Sequence, residues 1–252
     1  MGTLIESVGL TKAYAHPRGQ VEVLSNLAFA IDAGEIVSII GPSGCGKSTL
    51  LRIICGLTSP SAGRIRIGDR TPDEARRDRA FGFVFQEPVL LPWRDARANV
   101  RLPLDVVGYG KDDRKRIPQS LLQLVGLADF THHLPLELSG GMQQRVAIAR
   151  ALSFDPAILL MDEPFGALDA LTRDALNVEL LRIWEEMRKT IVFVTHSLTE
   201  AVFLSHRVLV MSSRPAEIKR TLVIDLPFPR DRRTRTDPRF HRLTGELMEE
   251  LG

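Results

Sequence analysis

The stretch that most constrains this chain runs from Gly41 to Thr49: Gly41, Pro42, Ser43, Gly44, Cys45, Gly46, Lys47, Ser48, Thr49. It fits G-x-x-x-x-G-K-[ST], the phosphate-binding loop. Ile36 to Ile40 is a wholly apolar run except for Ser38 and reads as the buried strand feeding the loop, and Leu50 to Ile54 reads as the helix leaving it. Strand, loop and helix in that order are the context the motif needs. Glycines at 41, 44 and 46 allow a tight curl with backbone N–H groups turned inward. Those donors and the positive end of the helix dipole form a phosphate cradle. Lys47 is expected to reach the β- and γ-phosphates of a nucleotide, and the Ser48 hydroxyl to ligate Mg²⁺. The loop leaves open which nucleotide binds and what its energy drives.

A chain of 252 residues with 44% apolar and 25% charged residues is expected to form a globular core. The net charge of +2 favours no class of partner. Basic residues do gather at the end: Arg230, Arg232, Arg233, Arg235, Arg239 and Arg242. That run reads as a solvated surface segment, with a face for acidic lipid or a partner as the sharper alternative. Cys45 and Cys55 have neither a disulfide framework nor metal spacing, which fits a reducing, cytoplasmic setting. No secretory leader and no membrane-spanning run is expected.

Thr3 to Leu10 reads as a first strand, Tyr14 to Gln20 as a loop, and Val21 to Leu24 and Leu27 to Ile31 as further strand material. Gly63 to Ile67 alternates, and Phe81 to Phe85 is a strand. From Gln86 to Phe154 helical patterns dominate, including a helix placed after Pro118, so residues 87–154 read as a helical subdomain inserted into an α/β core. Ile158 to Met161 and Ile191 to Thr195 read as buried parallel strands, with a long helix from Leu168 to Arg188 between them. Pro227 and Pro229 mark a break. The division expected is 1–226 for the main domain and 227–252 for a basic extension whose Phe240, Leu243, Leu247 and Leu251 form an amphipathic helix.

Further stretches narrow the chemistry. Asp162 ends an apolar strand, which in a phosphate-loop fold places its carboxylate beside Mg²⁺. Glu163 follows and is suited to polarise a water for in-line attack. Leu138 to Arg145, LSGGMQQR, opens a second helix: Ser139 is placed as its N-cap, and Gly140 and Gly141 permit close approach of a phosphate. One nucleotide needs only the first helix start, so two starts suggest a nucleotide held between two copies of the chain.

Taken together, residues 41–49, Gln86, LSGGMQQR, LLMDEP at 160–164, Ala167 to Asp169 and His196 resemble the ATP-binding cassette (ABC) ATPases over nearly the whole chain. The resemblance implies a P-loop NTPase (RecA-like) α/β core with an antiparallel β subdomain and an inserted helical subdomain, hydrolysing ATP with Mg²⁺. It implies that Tyr14 stacks on adenine, that Gln86 senses Mg²⁺ and the attacking water, and that His196 contacts the γ-phosphate. Catalysis would then fall to Glu163, His196, Gln86 and Lys47, with Ser48, Gln86 and Asp162 at the metal. Ser139, Gly140, Gly141, Gln143 and Asp169 would serve the ATP bound by the second copy.

Phe85 to Val100, with LLPW after the glutamine, and the ending Asp225 to Arg233 are similar to the nitrate, sulfonate and taurine importer group. This implies integral membrane permease subunits as partners, a periplasmic or lipid-anchored solute-binding protein, a station on the cytoplasmic face of the inner membrane and no nucleic-acid partner. Leu90, Leu91 and Trp93 are expected either to grip a permease helix or to pack the subdomain. The alternative class is a soluble ABC ATPase acting on nucleic acid or ribosomes; a P-loop kinase or GTPase would leave LSGGMQQR without a purpose.

Overall fold

A computed structural model describes residues 2–17 and 19–251. The chain opens with a long hairpin, β1 (Thr3–His16) and β2 (Gly19–Asp32), and continues through β3 (Ile36–Ile40), α1 (Lys47–Ile54), β4 (Ala62–Ile67), α2 (Pro72–Arg77) and β5 (Phe81–Val84). Three helices follow, α3 (Ala96–Val107), α4 (Lys111–Leu124) and α5 (Gly140–Leu152). Then come β6 (Ile158–Asp162), α6 (Ala170–Met187), β7 (Thr190–Val194), α7 (Leu198–Leu204), β8 (Arg207–Met211), β9 (Ile218–Val223) and α8 (Pro238–Leu251).

Two sheets result. The larger has strand order β5-β6-β7-β3-β8-β9, parallel except for β9, which pairs antiparallel with β8. The smaller, antiparallel sheet has the order β2-β1-β4. Strands buried on both faces read as continuous apolar runs, and β3 and β7 are buried at every position. Side chains alternate faces along a strand, and here the alternation separates two cores. Ile36, Ile40, Leu159, Met161, Ile191, Phe193, Val208 and Val210 pack with residues of α3 to α8. Val37, Ile39, Ile158, Leu160, Val192, Val194, Leu209 and Met211 pack with α1, α2 and the small sheet. Ser38, on the first face, is buried against Ser205 with hydroxyl oxygens 2.5 Å apart.

Several local expectations are corrected. Tyr14 to His16 and Gly19 to Gln20 are strand rather than loop, with Pro17 in a turn: Tyr14 pairs with Val21 and His16 with Gly19, and Arg18 lies outside the described residues. The expected gap between two strands near residue 25 is an irregularity inside one strand, where Asn26 adopts φ 49°. The helix placed after Pro118 starts at Lys111 and runs through that proline, which is buried with Leu121 and Leu122. A proline removes one helical hydrogen bond, and burial of Pro118 itself with Leu121 and Leu122 offsets that loss; Pro103 is carried inside α3, which buries Val100 and Leu104. Among the described residues no helix is long and apolar enough to cross a membrane.

The C-terminal stretch corrects the solvated reading of its arginines at Arg230, while Arg232, Arg233, Arg239 and Arg242 are exposed. Arg230 is 4% exposed. Its Nη1 donates to the carbonyls of Val202, Phe203 and Ser205 at 2.9–3.0 Å, and its Nη2 to that of Leu226 at 2.9 Å. It thereby satisfies carbonyls that the end of α7 leaves without helical partners. Burial lowers its pKa to about 10, so it stays charged at neutral pH. Arg235 pairs with Asp174, Arg239 with Asp237, and Arg242 with Asp225 and Glu246. Phe240, Leu243 and Leu247 join the core beneath α7 and β8.

Candidate nucleotide site

The phosphate loop leaves β3 at the middle of the large sheet. Gly46 is the residue before α1 and has φ 128°. A Cβ there would lie 2.7 Å from Leu24 Cδ2 and 2.9 Å from Val23 Cγ1, so both its conformation and β2 pressing from above require glycine. Lys47 is 5% exposed, and its Nζ donates to the carbonyls of Gly41 and Pro42 at 2.9 and 3.1 Å. That places the ammonium across the mouth of the loop. Pro42, Ser43 and Gly44 are exposed, whereas Cys45 is 2% exposed, so its thiol faces the interior and its backbone alone faces the loop.

Neighbouring strand ends bring the remaining groups together. Ser48 Oγ donates to Asp162 Oδ1 at 3.1 Å. Burial pushes the Asp162 carboxyl up, with the Glu163 charge adding to this and the Ser48 hydrogen bond opposing it. A hydroxyl and a carboxylate are the hard oxygen donors that Mg²⁺ takes, so this pair fits the metal. Among the described residues no three His, Cys, Asp or Glu cluster as a metal site. Glu163 has φ 49°, a left-handed conformation that costs about 1–3 kcal/mol in a non-glycine residue. Its N–H is held by the Val194 carbonyl at 3.0 Å, and its Oε1 lies 2.6 Å from His196 Nε2 at the end of β7. Gln86, Glu163, Thr195, His196 and Glu200 line one cleft of about 420 Å³. Gln86, Glu163 and His196, far apart in sequence, therefore share a cavity beside the Ser48–Asp162 pair.

The second helix start is built differently. Ser139 caps α5, its Oγ accepting from Met142 N–H at 3.3 Å, and Ser139 and Gly140 are exposed. Cβ atoms added at Gly140 and Gly141 would meet Leu168 at 3.2 Å and Thr172 at 2.6 Å, so this start packs on the segment leading into α6. Gln143 spends its amide nitrogen on the carbonyls of Pro135 and Leu138. Asp169 caps α6 through the N–H groups of Leu171 and Thr172. The exposed Tyr14 ring has Lys12 Nζ 4.7 Å from its centroid.

Other contacts were not legible in the sequence. Gln144 Nε2 donates to the Phe85 carbonyl at 3.1 Å, and Arg150 donates to the carbonyls of Pro88 and Val89, both at 2.7 Å. Two residues of α5 thus hold both sides of Gln86. The buried Asn99 ties down the next segment: its Oδ1 accepts from Leu91 N–H, and its Nδ2 donates to the carbonyls of Leu91, Arg94 and Asp95. Of the expected apolar grip, Trp93 is 73% exposed but Leu90 is half-buried against the core. The adjacent hollow of about 470 Å³ is lined instead by Phe83, Phe85, Val89, Leu102, Val106 and Phe154, among others.

The sequence profile of the ABC transporter family matches residues 24–166. The chain belongs to that family and is an ATP hydrolase of the cassette type. It is 48% identical over 223 residues to an uncharacterised ABC transporter ATP-binding protein of Methanocaldococcus jannaschii, covering 88% of this chain and 83% of that one. It is 42% identical over 244 residues to the aliphatic sulfonates import ATP-binding protein SsuB of Bacillus thuringiensis subsp. konkukian, covering 96% and 93%. Its structure is similar to a dimeric post-hydrolysis state of the ATP-binding cassette MJ0796 bound to ADP and Pi, with TM-score 0.76, 36% identity, and 89% and 100% of the two chains covered.

Proposed function

We propose that two copies of this chain enclose ATP between them and that hydrolysis drives uptake of a small solute of the sulfonate, nitrate or taurine kind. Transport would run through separate integral membrane permease subunits, supplied by a solute-binding protein outside the membrane, with this chain on the cytoplasmic face. The observation that carries this reading is the pair of unlike helix starts. The first is enclosed beside Lys47, Ser48 and Asp162; the second is exposed at Ser139 and Gly140. A nucleotide seated on one copy's first start is completed by the other copy's second. The similarity to a dimeric cassette and to an SsuB protein supports the dimer and the solute class.

The chemistry follows from the side chains. Lys47 and the backbone N–H groups of residues 41–49 bind and orient the phosphates. Glu163 aligns a water with the γ-phosphorus. As the water oxygen bonds to phosphorus, the bond to the β–γ bridging oxygen breaks, and Glu163 takes the water's proton. His196 Nε2 holds the Glu163 carboxylate in place. Ser48 and Asp162, with Gln86 at hand in the adjoining cleft, would hold Mg²⁺, which would supply charge neutralisation at the phosphates. The apolar hollow beside Gln86, with exposed Trp93 nearby, suits a permease helix.

Glu163→Gln tests the reading. ATP turnover should fall by at least about 100-fold while ATP still drives dimer formation, read by light scattering. Retained turnover would remove Glu163 from the mechanism.

A further inference from the structure

Glu200, in the first turn of α7, is 4% exposed at the back of the cleft lined by Gln86, Glu163 and His196. A carboxylate taken out of water needs partners. The Thr195 hydroxyl donates to it, and the same oxygen accepts the N–H of Ser197 at 2.9 Å. Glu200 therefore holds the residues on both sides of His196. On its other flank Arg173 Nε lies 3.7 Å from Glu200 Oε1, while Arg173 Nη2 donates to the Leu168 carbonyl at 2.8 Å. One ion pair thus joins the turn carrying His196 to the segment 167–169, the two stretches on either side of Glu163. The buried Asn177 stands next to the same carboxylate.

A further cation comes from outside the site. Arg235 sits in the 3-10 turn Arg232–Thr236, between β9 and α8. Its guanidinium lies 4.7 Å from the centroid of the Phe203 ring and pairs with Asp174 at 2.8 Å, the residue next to Arg173. The arm that carries it is fastened independently, by Arg230 on the carbonyls closing α7 and by Phe240 and Leu243 in the core.

We infer that Arg235 is a positioning residue for ATP hydrolysis: by joining α6 at Asp174 to α7 at Phe203 it keeps the Arg173–Glu200 pair in place beneath Thr195, and so keeps His196 and segment 167–169 in register around Glu163. The C-terminal arm then belongs to the hydrolytic machinery. This inference rests on the ATP-site reading above.

Steady-state ATP turnover tests it, normalised to folded sites counted by binding of a non-hydrolysable ATP analogue. Arg235→Ala should lower kcat about five-fold with KM for ATP within about two-fold of wild type. Arg235→Lys, which keeps the charge, should restore at least about half of the loss. Arg232→Ala, at an exposed residue of the same turn, should leave both constants unchanged. If Arg235→Ala does not fold, Arg235→Gln keeps the side chain's length without its charge and should show the same kcat loss. Unchanged kcat per folded site, a rise in KM alone, or no recovery with lysine overturns the inference. Failure of the ATP-site reading looks different: wild type would not hydrolyse ATP, or Glu163→Gln would keep its turnover.

Discussion

The two glycine-rich helix starts use the same backbone chemistry and differ in everything around it. The start of α1 has no side-chain cap; Val23 and Leu24 press on Gly46, and Lys47 closes the loop from within. The start of α5 is capped by its own Ser139 and leaves that residue and Gly140 in solvent. A helix N-terminus attracts phosphate in both cases. On the proposed reading the first, enclosed and carrying a lysine, seats the nucleotide, and the second, exposed, meets the nucleotide of another copy.

The largest expected effect comes from separating the two starts. Chains carrying Lys47→Ala mixed with chains carrying Ser139→Arg should give dimers with at most one intact site, whereas each variant alone should lose turnover by at least about 100-fold. Full activity of either variant alone would show that one start suffices. Gly46→Ala comes next. Its positive φ and the contacts with Leu24 and Val23 should cost about 2–3 kcal/mol of stability, read by denaturant unfolding, and weaken ATP binding. An unchanged midpoint would mean that β2 yields and that the first start is less enclosed than its geometry states.

The smallest effect concerns β3, the strand that positions the first start. Ile36 N–H donates to His206 Nδ1 at 3.1 Å, so the ring acts as an acceptor. Burial, with Arg230 adding to it and Glu35 opposing it, holds the His206 pKa below its usual 6.5; Arg188 also stands near. Trp184 and Phe228 pack against the ring. The unfolded chain then takes up a proton below pH 6.5 that the folded chain does not. Stability is full above pH 6.5 and declines as pH falls toward the folded-state value, by at most about 1.4 kcal/mol per pH unit. His206→Asn, which keeps an acceptor but does not titrate, should flatten the dependence of the unfolding midpoint between pH 7.5 and 5.5. An unchanged slope would assign the acid sensitivity elsewhere.

Spacing alone made several features of the site readable. The loop from Gly41 to Thr49, the strand ending in Asp162 and Glu163, and the N-cap at Ser139 depend on residues close in sequence, whose geometry is set by backbone conformation and one or two capping bonds. Pattern reading failed where pairing and packing decide. The Tyr14 to Gln20 stretch carries turn residues, yet Tyr14 to His16 and Gly19 to Gln20 are held in strands by backbone pairing while their side chains stay exposed. Pro118 reads as a boundary and sits inside α4 because it is buried there with Leu121 and Leu122.

By itself the sequence determined that a phosphate loop feeds from a buried strand, that two glycine-rich helix starts occur, and that a carboxylate pair follows a strand; these are local, and short-range physics fixes them. Only the tertiary structure decided that His196 stands against Glu163, that Gln144 and Arg150 hold the Gln86 segment, that Arg230 belongs to the interior and that Arg235 pairs with Asp174. An arginine run looks the same in sequence whether water or a helix end receives it. The outcome depends on which carbonyls and carboxylates the fold leaves without partners nearby.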